Sequence, residues 1–339
     1  MTTLSTLLVF ILILLLYIHI TAQYKRSEDL EIYEADYKSN QDLQDICDIK
    51  QPVLFHIESF NPIFFEHNIS DILEHSKTEY EARVKDVNDI KTGDYILIPF
   101  RSAYGLMETD SNSRFYSENN YDMTEDIIAH HFKTMDEYLK PKFTLQTKYD
   151  VIFGSNGAYT TLKYHTNYRQ FLCVQKGKIT VKMTPWKSRK LLHIENDYEN
   201  YEFRSHINVW KPQYQYLNDM EKLKFLEFDI QPGYMLFIPP YWFYSIQFNS
   251  SNDDLAMVAS FTYNTPMNIV ANSPKLSMYY LQQFNVTQKT VKTLNIEPSS
   301  STTKAVREPE KDENSTIVTN APLEPTIDFT KRANEQIDS

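Results

Sequence analysis

The four residues YHTN at 164–167 include the side chains best suited to bind a metal ion. His165 and Asn167 are two positions apart, so on a strand an imidazole and an amide would leave the same face. His193 and His206 are further histidines that strands could bring to the same end of a β fold. The chain has no His-x-His or Cys-x-x-Cys pattern, and a scattered histidine more often serves the core or the surface. Residue types alone therefore predict no metal site.

A second stretch, QPGYMLFIPPYWFYSIQF at 231–248, places large aromatic side chains beside a Pro-Gly turn. Trp242, Phe243 and Tyr244, together with Tyr164, are enough to build an aromatic ligand cage. The same residues would equally fill the interior of a β-barrel. Both interpretations remain open at this level.

The elements that must position these residues are short strands separated by turns. Between 151 and 265 they are predicted at YDVIF, QFLCVQ, KITVKMTP, LKFLEFDI, YMLFIP, YSIQF and AMVASFTY. Helices are predicted at DILEHSKTEYEAR, capped by Ser70, and at NSPKLSMYYLQQFNV. The pattern favours a mainly β fold, a barrel or jelly roll with flanking helices.

Two segments taken together, GSNGAYTTLKYHTNYRQFLCVQKGKITVKMTPW and PGYMLFIPPYWFYSIQF, resemble the JmjC/cupin-like group of Fe(II)- and 2-oxoglutarate-dependent oxygenases, particularly its asparaginyl-hydroxylase-like branch. The resemblance covers about 53–267 and implies a double-stranded β-helix. Fold similarity does not by itself imply activity, so each functional position must be compared separately.

These oxygenases hold Fe(II) with two imidazoles and one carboxylate. Counted back from the Gln-Lys-Gly turn, the family's first histidine falls on Tyr164 and its carboxylate on Thr166. A frame shifted by one residue gives His165 and Asn167 instead. The distal histidine falls on Tyr244 in either frame, and a phenol with a pKa near 10 is a poor ligand for Fe(II).

The resemblance also implies a 2-oxoglutarate pocket, whose equivalents here are Thr161, Gln170, Ile179 and Trp242. Ile179 replaces the lysine that would pair with the cosubstrate carboxylate, and Lys178 lies one residue early, on the opposite face of the strand. The aspartate that follows Pro-Gly in the family is Tyr234. The positions therefore indicate a retained scaffold without the metal site.

The apolar run LLVFILILLLYIHI at 7–20 predicts a transmembrane anchor over 1–23, with a signal peptide cleaved near Ala22 as the alternative. Lys25 and Arg26 follow it and favour a cytoplasmic location for the rest of the chain. Four glycosylation sequons point instead to a lumenal or secreted glycoprotein; their asparagines are Asn68, Asn249, Asn285 and Asn314.

The remaining composition sets the domain boundaries. We expect a polar stalk over 24–50, the cupin/JmjC-like domain over 51–270, a C-terminal helix over 271–297 and a disordered tail over 298–339. The formal net charge of -11 argues against a nucleic-acid partner. Cys47 and Cys173 are too few for a disulfide framework.

These observations favour a single-pass membrane protein whose cupin-like domain is a non-catalytic binding or structural module with no cofactor. The alternative is an active hydroxylase that uses Fe(II) and 2-oxoglutarate at His165 and modifies a protein or lipid near the membrane. The ligand and any protein partner are not predicted, and a homodimer through an exposed sheet edge or terminal helix stays open. The high Tyr, Asn, Ile and Lys content would suit an AT-rich genome, such as that of a large DNA virus, and hence a host or virion membrane.

Overall fold

The apolar segments predicted as strands pair into two large sheets. The structure is a computed structural model that describes residues 3–67, 69–74, 80–89, 94–249 and 255–285. Its strands are β1 Tyr33–Glu34, β2 Val53–His56, β3 Glu81–Asp86, β4 Ile96–Pro99, β5 Phe115–Ser117, β6 Gln146–Gly154, β7 Lys163–Tyr164, β8 Arg169–Lys176, β9 Lys178–Thr184, β10 Ile194–Asp197, β11 Glu202–Ser205, β12 Leu226–Ile230, β13 Tyr234–Ile238, β14 Phe243–Asn249 and β15 Ala256–Asn264.

One sheet has nine strands in the order β1-β2-β13-β8-β15-β6-β5-β3-β4, and the other has six in the order β10-β11-β7-β14-β9-β12. Among the paired strands, β1 and β2 run parallel and the other pairs run antiparallel. The strands β6 to β9 and β12 to β15 carry the chain back and forth between the two sheets. The predicted mainly β fold with flanking helices is confirmed, and its strands form two large sheets.

Helices cover the outside of the nine-stranded sheet and both ends of the domain. They are α1 Thr3–Gln23, α2 Asn40–Cys47, α3 Pro62–Glu66, α4 Ile69–Glu74, α5 Phe100–Thr109, α6 Tyr121–Ile127, α7 Ala129–Lys133, α8 Asp136–Leu139, α9 Leu217–Met220, α10 Pro266–Ala271 and α11 Ser273–Asn285, with 3-10 helices at Trp186–Leu191 and Tyr214–Tyr216. The helix predicted at NSPKLSMYYLQQFNV is confirmed as α11.

One apolar cluster lies between the two sheets, and one more lies on the outer face of each sheet. Strand β8 contributes to two of them, because each of its residues from Arg169 to Gln175 is buried. Its Leu172 and Val174 enter the cluster between the sheets, whereas Phe171 and Cys173 face the helices. A third cluster, largely aromatic, covers the outer face of the six-stranded sheet. Burial on both faces makes β8 a near-continuous apolar run.

The segment predicted as a polar stalk over 24–50 instead packs against the domain. Strand β1 pairs with β2, and α2 buries Leu43 and Cys47. The Arg169 side chain, which is 0% exposed, forms a 2.6 Å ion pair with Asp48. The prediction was wrong because the apolar positions of α2 are too few to give a strong pattern, while the partner that fixes this segment lies over 120 residues away in sequence.

The helix predicted through DILEHSKTEYEAR ends early. Helix α4 stops at Glu74, and Glu81–Asp86 forms strand β3 between β4 and β5. Burial of Ala82 and Val84 against this sheet outweighs the helical preference of the charged residues around them. The predicted tail over 298–339 and the sequons at Asn68 and Asn314 lie outside the described residues.

Candidate functional site

The short strand β7 places Lys163, rather than Tyr164, beside Tyr244. Lys163 and Tyr244 are direct partners in the antiparallel register of β7 and β14, and both line the same internal cavity. Successive residues of a strand face opposite sides of the sheet. Tyr164 accordingly packs in the outer aromatic cluster, where its ring stacks on Phe203 at 5.0 Å.

Lys163 belongs to a buried network of charges. Its Nζ forms an ion pair with Glu118, whose side chain is 2% exposed. Behind this pair, Lys85 Nζ lies 2.9 Å from the Glu202 carboxylate, and both of these side chains are buried. Tyr95 donates its hydroxyl to the second Glu202 oxygen at 2.5 Å. Each buried charge therefore has an opposite partner, as burial in a low dielectric requires.

The network keeps Lys163 and Glu202 ionised. Burial alone would lower the pKa of Lys163, but Glu118, Tyr244 and Glu202 raise it well above its usual range. Burial alone would raise the pKa of Glu202, but Lys85 and Lys163 outweigh it and lower it to about 2. At neutral pH the cavity thus contains a fixed ammonium held between carboxylates.

The turn after β5 supports this network with a strained residue. Asn119 has a positive φ of 63°, and its amide donates to the Glu202 carboxylate at 2.6 Å. The Asp150 carboxylate accepts the backbone N–H groups of Asn119 and Asn120 at 2.8 and 2.7 Å. Burial raises the pKa of Asp150 to about 7 despite these two bonds. Asn119 has a left-handed backbone and is hydrogen bonded through both its backbone N–H and its side-chain amide. This part of the cavity lining is therefore precisely positioned.

A relay of amides connects Tyr244 with the cavity mouth. Gln170 Nε2 donates to the Tyr244 hydroxyl at 3.0 Å, and Asn167 Nδ2 donates to Gln170 Oε1 at 3.2 Å. Asn264 in turn donates to Asn167 at 3.4 Å. Burial raises the pKa of Tyr244, so its phenol stays neutral. Tyr244 is therefore hydrogen bonded as a neutral phenol.

His165 lies in the interior, but its two ring nitrogens are both occupied. Its Nε2–H donates to the Ile238 carbonyl at 3.1 Å, while its Nδ1 accepts the Asn167 backbone N–H at 3.2 Å. Burial lowers the pKa of His165 to about 3. The ring is thus a neutral connector between β7 and the end of β13.

The other two positions of the first frame, Tyr164 and Thr166, also line the internal cavity, but their hydroxyls contact other residues. The Tyr164 hydroxyl is 3.1 Å from Lys275 Nζ, on α11. The Thr166 hydroxyl lies 3.5 Å from the Tyr201 hydroxyl, and its carbonyl accepts from Asn268 and Asn272. That Tyr164 stands where the family has its first metal ligand stays a prediction; the strand register pairs Lys163, not Tyr164, with Tyr244.

The side chains at the positions equivalent to a cosubstrate pocket are mostly apolar or already hydrogen bonded to other residues. Ile179 is fully buried between the sheets, and Lys178 points outward to Asp229 at 2.5 Å, as predicted for the opposite face. Thr161 lies 3.2 Å from the Tyr116 hydroxyl. Trp242 is buried, and its indole N–H has no hydrogen-bond partner in the part of the chain that the structure describes.

The remaining candidate histidines lie at the surface. His193 Nε2 is 2.8 Å from Asp219, and His206 Nε2 is 3.6 Å from Glu195, with all four side chains partly exposed. Within the described residues, His, Cys, Asp and Glu side chains form no group of three or more that could hold a metal ion. His165 is thus not joined by His193 or His206.

The internal cavity, of about 120 Å³, opens into an outer cleft of about 520 Å³. The two share a rim of amides, tyrosines and one lysine: Asn119, Tyr121, Lys148, Thr166, Asn167, Asn200 and Tyr201. The far wall of the outer cleft is formed by residues of α10 and α11, including Asn268, Asn272 and Tyr279. Such a surface can donate and accept hydrogen bonds and stack on a flat group.

Sequence reasoning missed the charged network entirely. Lys163 and Glu202 are charges inside the strand segments TLKYH and YEFRS, at positions where an apolar inward residue is expected. The signal that could have found them was a charged residue at a position that the two-residue period of a strand places on the inward face. Their partners Glu118 and Lys85 come from distant segments, so the pairing itself was not readable from the sequence.

The residues present do not fit the Fe(II) and 2-oxoglutarate chemistry of the resembling oxygenases. Beside Tyr244 the interior offers an ammonium, which has no lone pair for a metal and repels its charge. His165 has no free ring nitrogen, the Glu118 and Glu202 carboxylates are engaged by lysines, and Asp150 accepts two backbone N–H groups. A site for two imidazoles and a carboxylate is not formed by these side chains.

Comparison with protein families matches residues 34–273 to the cupin-like domain family. No curated protein matches the chain. The matched region begins at β1 and ends at the start of α11, so it includes both sheets and the cavity between them. It covers well over half of the chain and confirms the resemblance inferred from the two motif segments. The chain belongs to the cupin-like domain family.

Proposed function

We propose that this protein is a membrane-anchored, non-catalytic binding module. Its cupin-like domain, whose alternating strands we interpret as a double-stranded β-helix, uses the outer cleft to bind a polar ligand. The observation that carries this proposal is the Lys163 ammonium, paired with Glu118, at the interior position opposite Tyr244. A fixed cation there supplies the charge balance that a metal would otherwise supply, without any open coordination position.

The outer cleft supports binding rather than chemistry. Its rim combines amides with the phenols of Tyr121 and Tyr201, and Lys148 Nζ lies 5.1 Å from the Tyr121 ring centroid. Burial lowers the pKa of Lys148. These groups suit a ligand that carries several hydrogen-bonding groups and a flat or apolar face.

The membrane anchor in this proposal is α1. It is the one described helix long and apolar enough to cross a bilayer, with a mean hydropathy of 2.5 and none of its span window buried within the protein. A signal sequence has the same properties, so the anchor is a proposal that rests on length and composition.

Calorimetric titration of the purified full-length protein in detergent with Mn(II), with and without 2-oxoglutarate, tests the loss of the metal site. We expect no saturable binding to the wild type beyond that shown by a His193→Ala/His206→Ala variant, in which the surface histidines are removed. Micromolar, stoichiometric binding that His165→Ala abolishes would contradict the proposal. That result would support the alternative, an active Fe(II)- and 2-oxoglutarate-dependent hydroxylase.

A further inference from the structure

Helix α11 has one face packed on the domain and one face without a partner among the described residues. Gln283 donates its amide to the Glu199 carbonyl at 2.8 Å, and Tyr279 contacts the Tyr201 ring at 5.6 Å. The opposite face exposes large apolar side chains three residues apart: Met278 (49%), Leu281 (57%) and Phe284 (81%). An apolar face of this kind on a short helix marks a contact with another phase or molecule.

The beginning of α11 is held at the end of α1. The Tyr24 hydroxyl, one residue beyond α1, donates to the Ala271 carbonyl at the end of α10. Helix α10 itself packs beside α1. The exposed face of α11 therefore begins close to the end of α1, where that apolar helix meets the domain.

A cluster of cations and aromatic rings strengthens this junction. The Arg26 guanidinium lies 4.1 Å from the Tyr241 ring centroid and 4.6 Å from that of Trp186. Lys275, in the first turn of α11, lies 5.5 Å from the same Tyr241 ring and 4.3 Å from Phe203. Tyr241 has a positive φ of 67°, rare for a bulky residue, which signals a strained but fixed conformation.

Exposed basic residues surround the same junction although the whole chain has a net charge of -11. They are Lys25 after α1 and Lys187, Arg189 and Lys190 on the Trp186–Leu191 helix. Lys187 is fixed to the segment after α1, because its backbone N–H and its Nζ both bond to Glu28 at 2.6 Å. Basic side chains next to a span suit anionic lipid headgroups.

We propose that α11 lies in the interface of the bilayer that α1 crosses. Its three exposed apolar side chains, Met278, Leu281 and Phe284, enter the boundary between headgroups and acyl chains, while the basic residues of the Trp186–Leu191 helix contact anionic headgroups. The inference rests on α1 being a membrane anchor. Continuity with α1 selects the bilayer as the occupant of this face over a second copy of the chain.

Depth measurements on the full-length protein in lipid nanodiscs test this inference. A Leu281→Cys variant is labelled with an environment-sensitive fluorophore, and quenching by lipids brominated in their acyl chains is recorded. The native thiols, Cys47 and Cys173, are both buried, so the label reports the introduced cysteine. The matched control is Gln231→Cys, an exposed position in the turn before β13, at the opposite end of that strand from Tyr241.

We expect quenching at position 281 to exceed that at position 231 by about twofold or more, because α11 lies within reach of the acyl chains. Replacing anionic by zwitterionic lipid should reduce this difference, and Arg189→Gln/Lys190→Gln should remove its dependence on lipid charge. Equal quenching at both positions would overturn the inference. Disulfide-linked dimers formed through the introduced cysteine, with no lipid quenching, would also overturn it and identify a protein contact.

Alkaline carbonate extraction of membranes that contain the wild type separates this inference from the anchor on which it rests. A chain released by carbonate has no membrane-spanning α1, so the anchor proposal fails and the interface position of α11 fails with it. A chain that resists extraction but shows equal quenching at positions 281 and 231 retains its anchor, and the inference about α11 alone is wrong.

Discussion

Lys163 is enclosed by carboxylates in the interior of the domain. Its partner Glu118 is almost fully buried, and Glu202 is held by Lys85 at 2.9 Å. Moving a charge out of water is costly, and a partner at close range offsets that cost only while it stays in place. Removing one member therefore affects the folded state more strongly than the ion pair itself stabilises it.

Replacing Lys163 with Met is expected to lower the free energy of unfolding by about 3 kcal/mol or more, because Glu118 is left buried and unpaired. Urea denaturation followed by circular dichroism measures this loss. The control is Lys178→Met, which breaks an ion pair at the surface with Asp229 and should cost less than about 1 kcal/mol. Adding Glu118→Gln to the Lys163→Met variant should restore part of the lost stability. Similar stability of the Lys163→Met and Lys178→Met variants would contradict the expectation.

At the scale of elements, α2 is bound to the sheet by one side chain. Arg169, at the start of β8, donates to the Gln44 side chain at 2.8 Å and to the Gln44 carbonyl at 3.2 Å. The same guanidinium bonds to Asp48 at 2.6 Å. A helix of eight residues is marginal alone, so it stays docked through these bonds, its two buried apolar residues and the amide bonds of Asn40 and Gln44 to the α8 segment.

An Arg169→Met variant should release α2, because the methionine fills much of the space but removes the donor to Gln44 Oε1 and leaves Asp48 only the more distant Lys50, at 3.5 Å. We expect a loss of about 3 kcal/mol in stability and amide hydrogen exchange that accelerates in α2 before it does in β8. The matched control is Arg189→Met, an exposed arginine. Uniform acceleration across both elements would mean that α2 is not a separate docking unit.

At the scale of the whole molecule, two buried groups with shifted pKa values, His165 and Asp150, change the stability of the fold in opposite directions as the pH falls. Burial lowers the pKa of His165 from 6.5 to about 3, so stability is lost as the pH falls through that window. Burial raises the pKa of Asp150 from 3.8 to about 7, so the folded state binds its proton first and stability is gained as the pH falls. Between about pH 6.5 and 4 the two effects partly cancel.

An Asp150→Asn variant removes one side of this balance. We expect its melting temperature to fall more steeply than that of the wild type between pH 6.5 and pH 4.5, because only the His165 effect then remains. Calorimetric melts at several pH values measure the slope, which does not depend on any constant loss of stability. Asp126→Asn, at an exposed position of α6, serves as the control and should run parallel to the wild type. A parallel curve for Asp150→Asn would contradict the expectation.

The ligand cleft and the proposed membrane-facing surface share the same helices. Residues Asn268 and Asn272 of α10 and its flank line the outer cleft, and Ala271 between them accepts the Tyr24 hydroxyl beyond α1. In the proposed arrangement the cleft therefore opens close to the bilayer surface. A ligand would approach it from the interfacial region rather than from bulk solution.

Periodicity and turn residues in the sequence determined most of the β architecture. The strands from β6 to β15 that carry apolar runs were readable because burial on one or both faces constrains residue type at every position. The apolar helix α1 and the amphipathic α11 were readable for the same reason. The relation to cupin-like domains likewise followed from the order of turns and strands.

Only the tertiary structure decided which residues meet. The sequence did not predict the pairing of Lys163 with Tyr244, a contact between segments about 80 residues apart. The partners of Lys163, the docking of α2 and the strand at Glu81–Asp86 depend on similar long-range contacts. Local sequence encodes which faces are apolar, whereas the pairing of buried charges depends on the three-dimensional distances between segments that the chain itself keeps far apart.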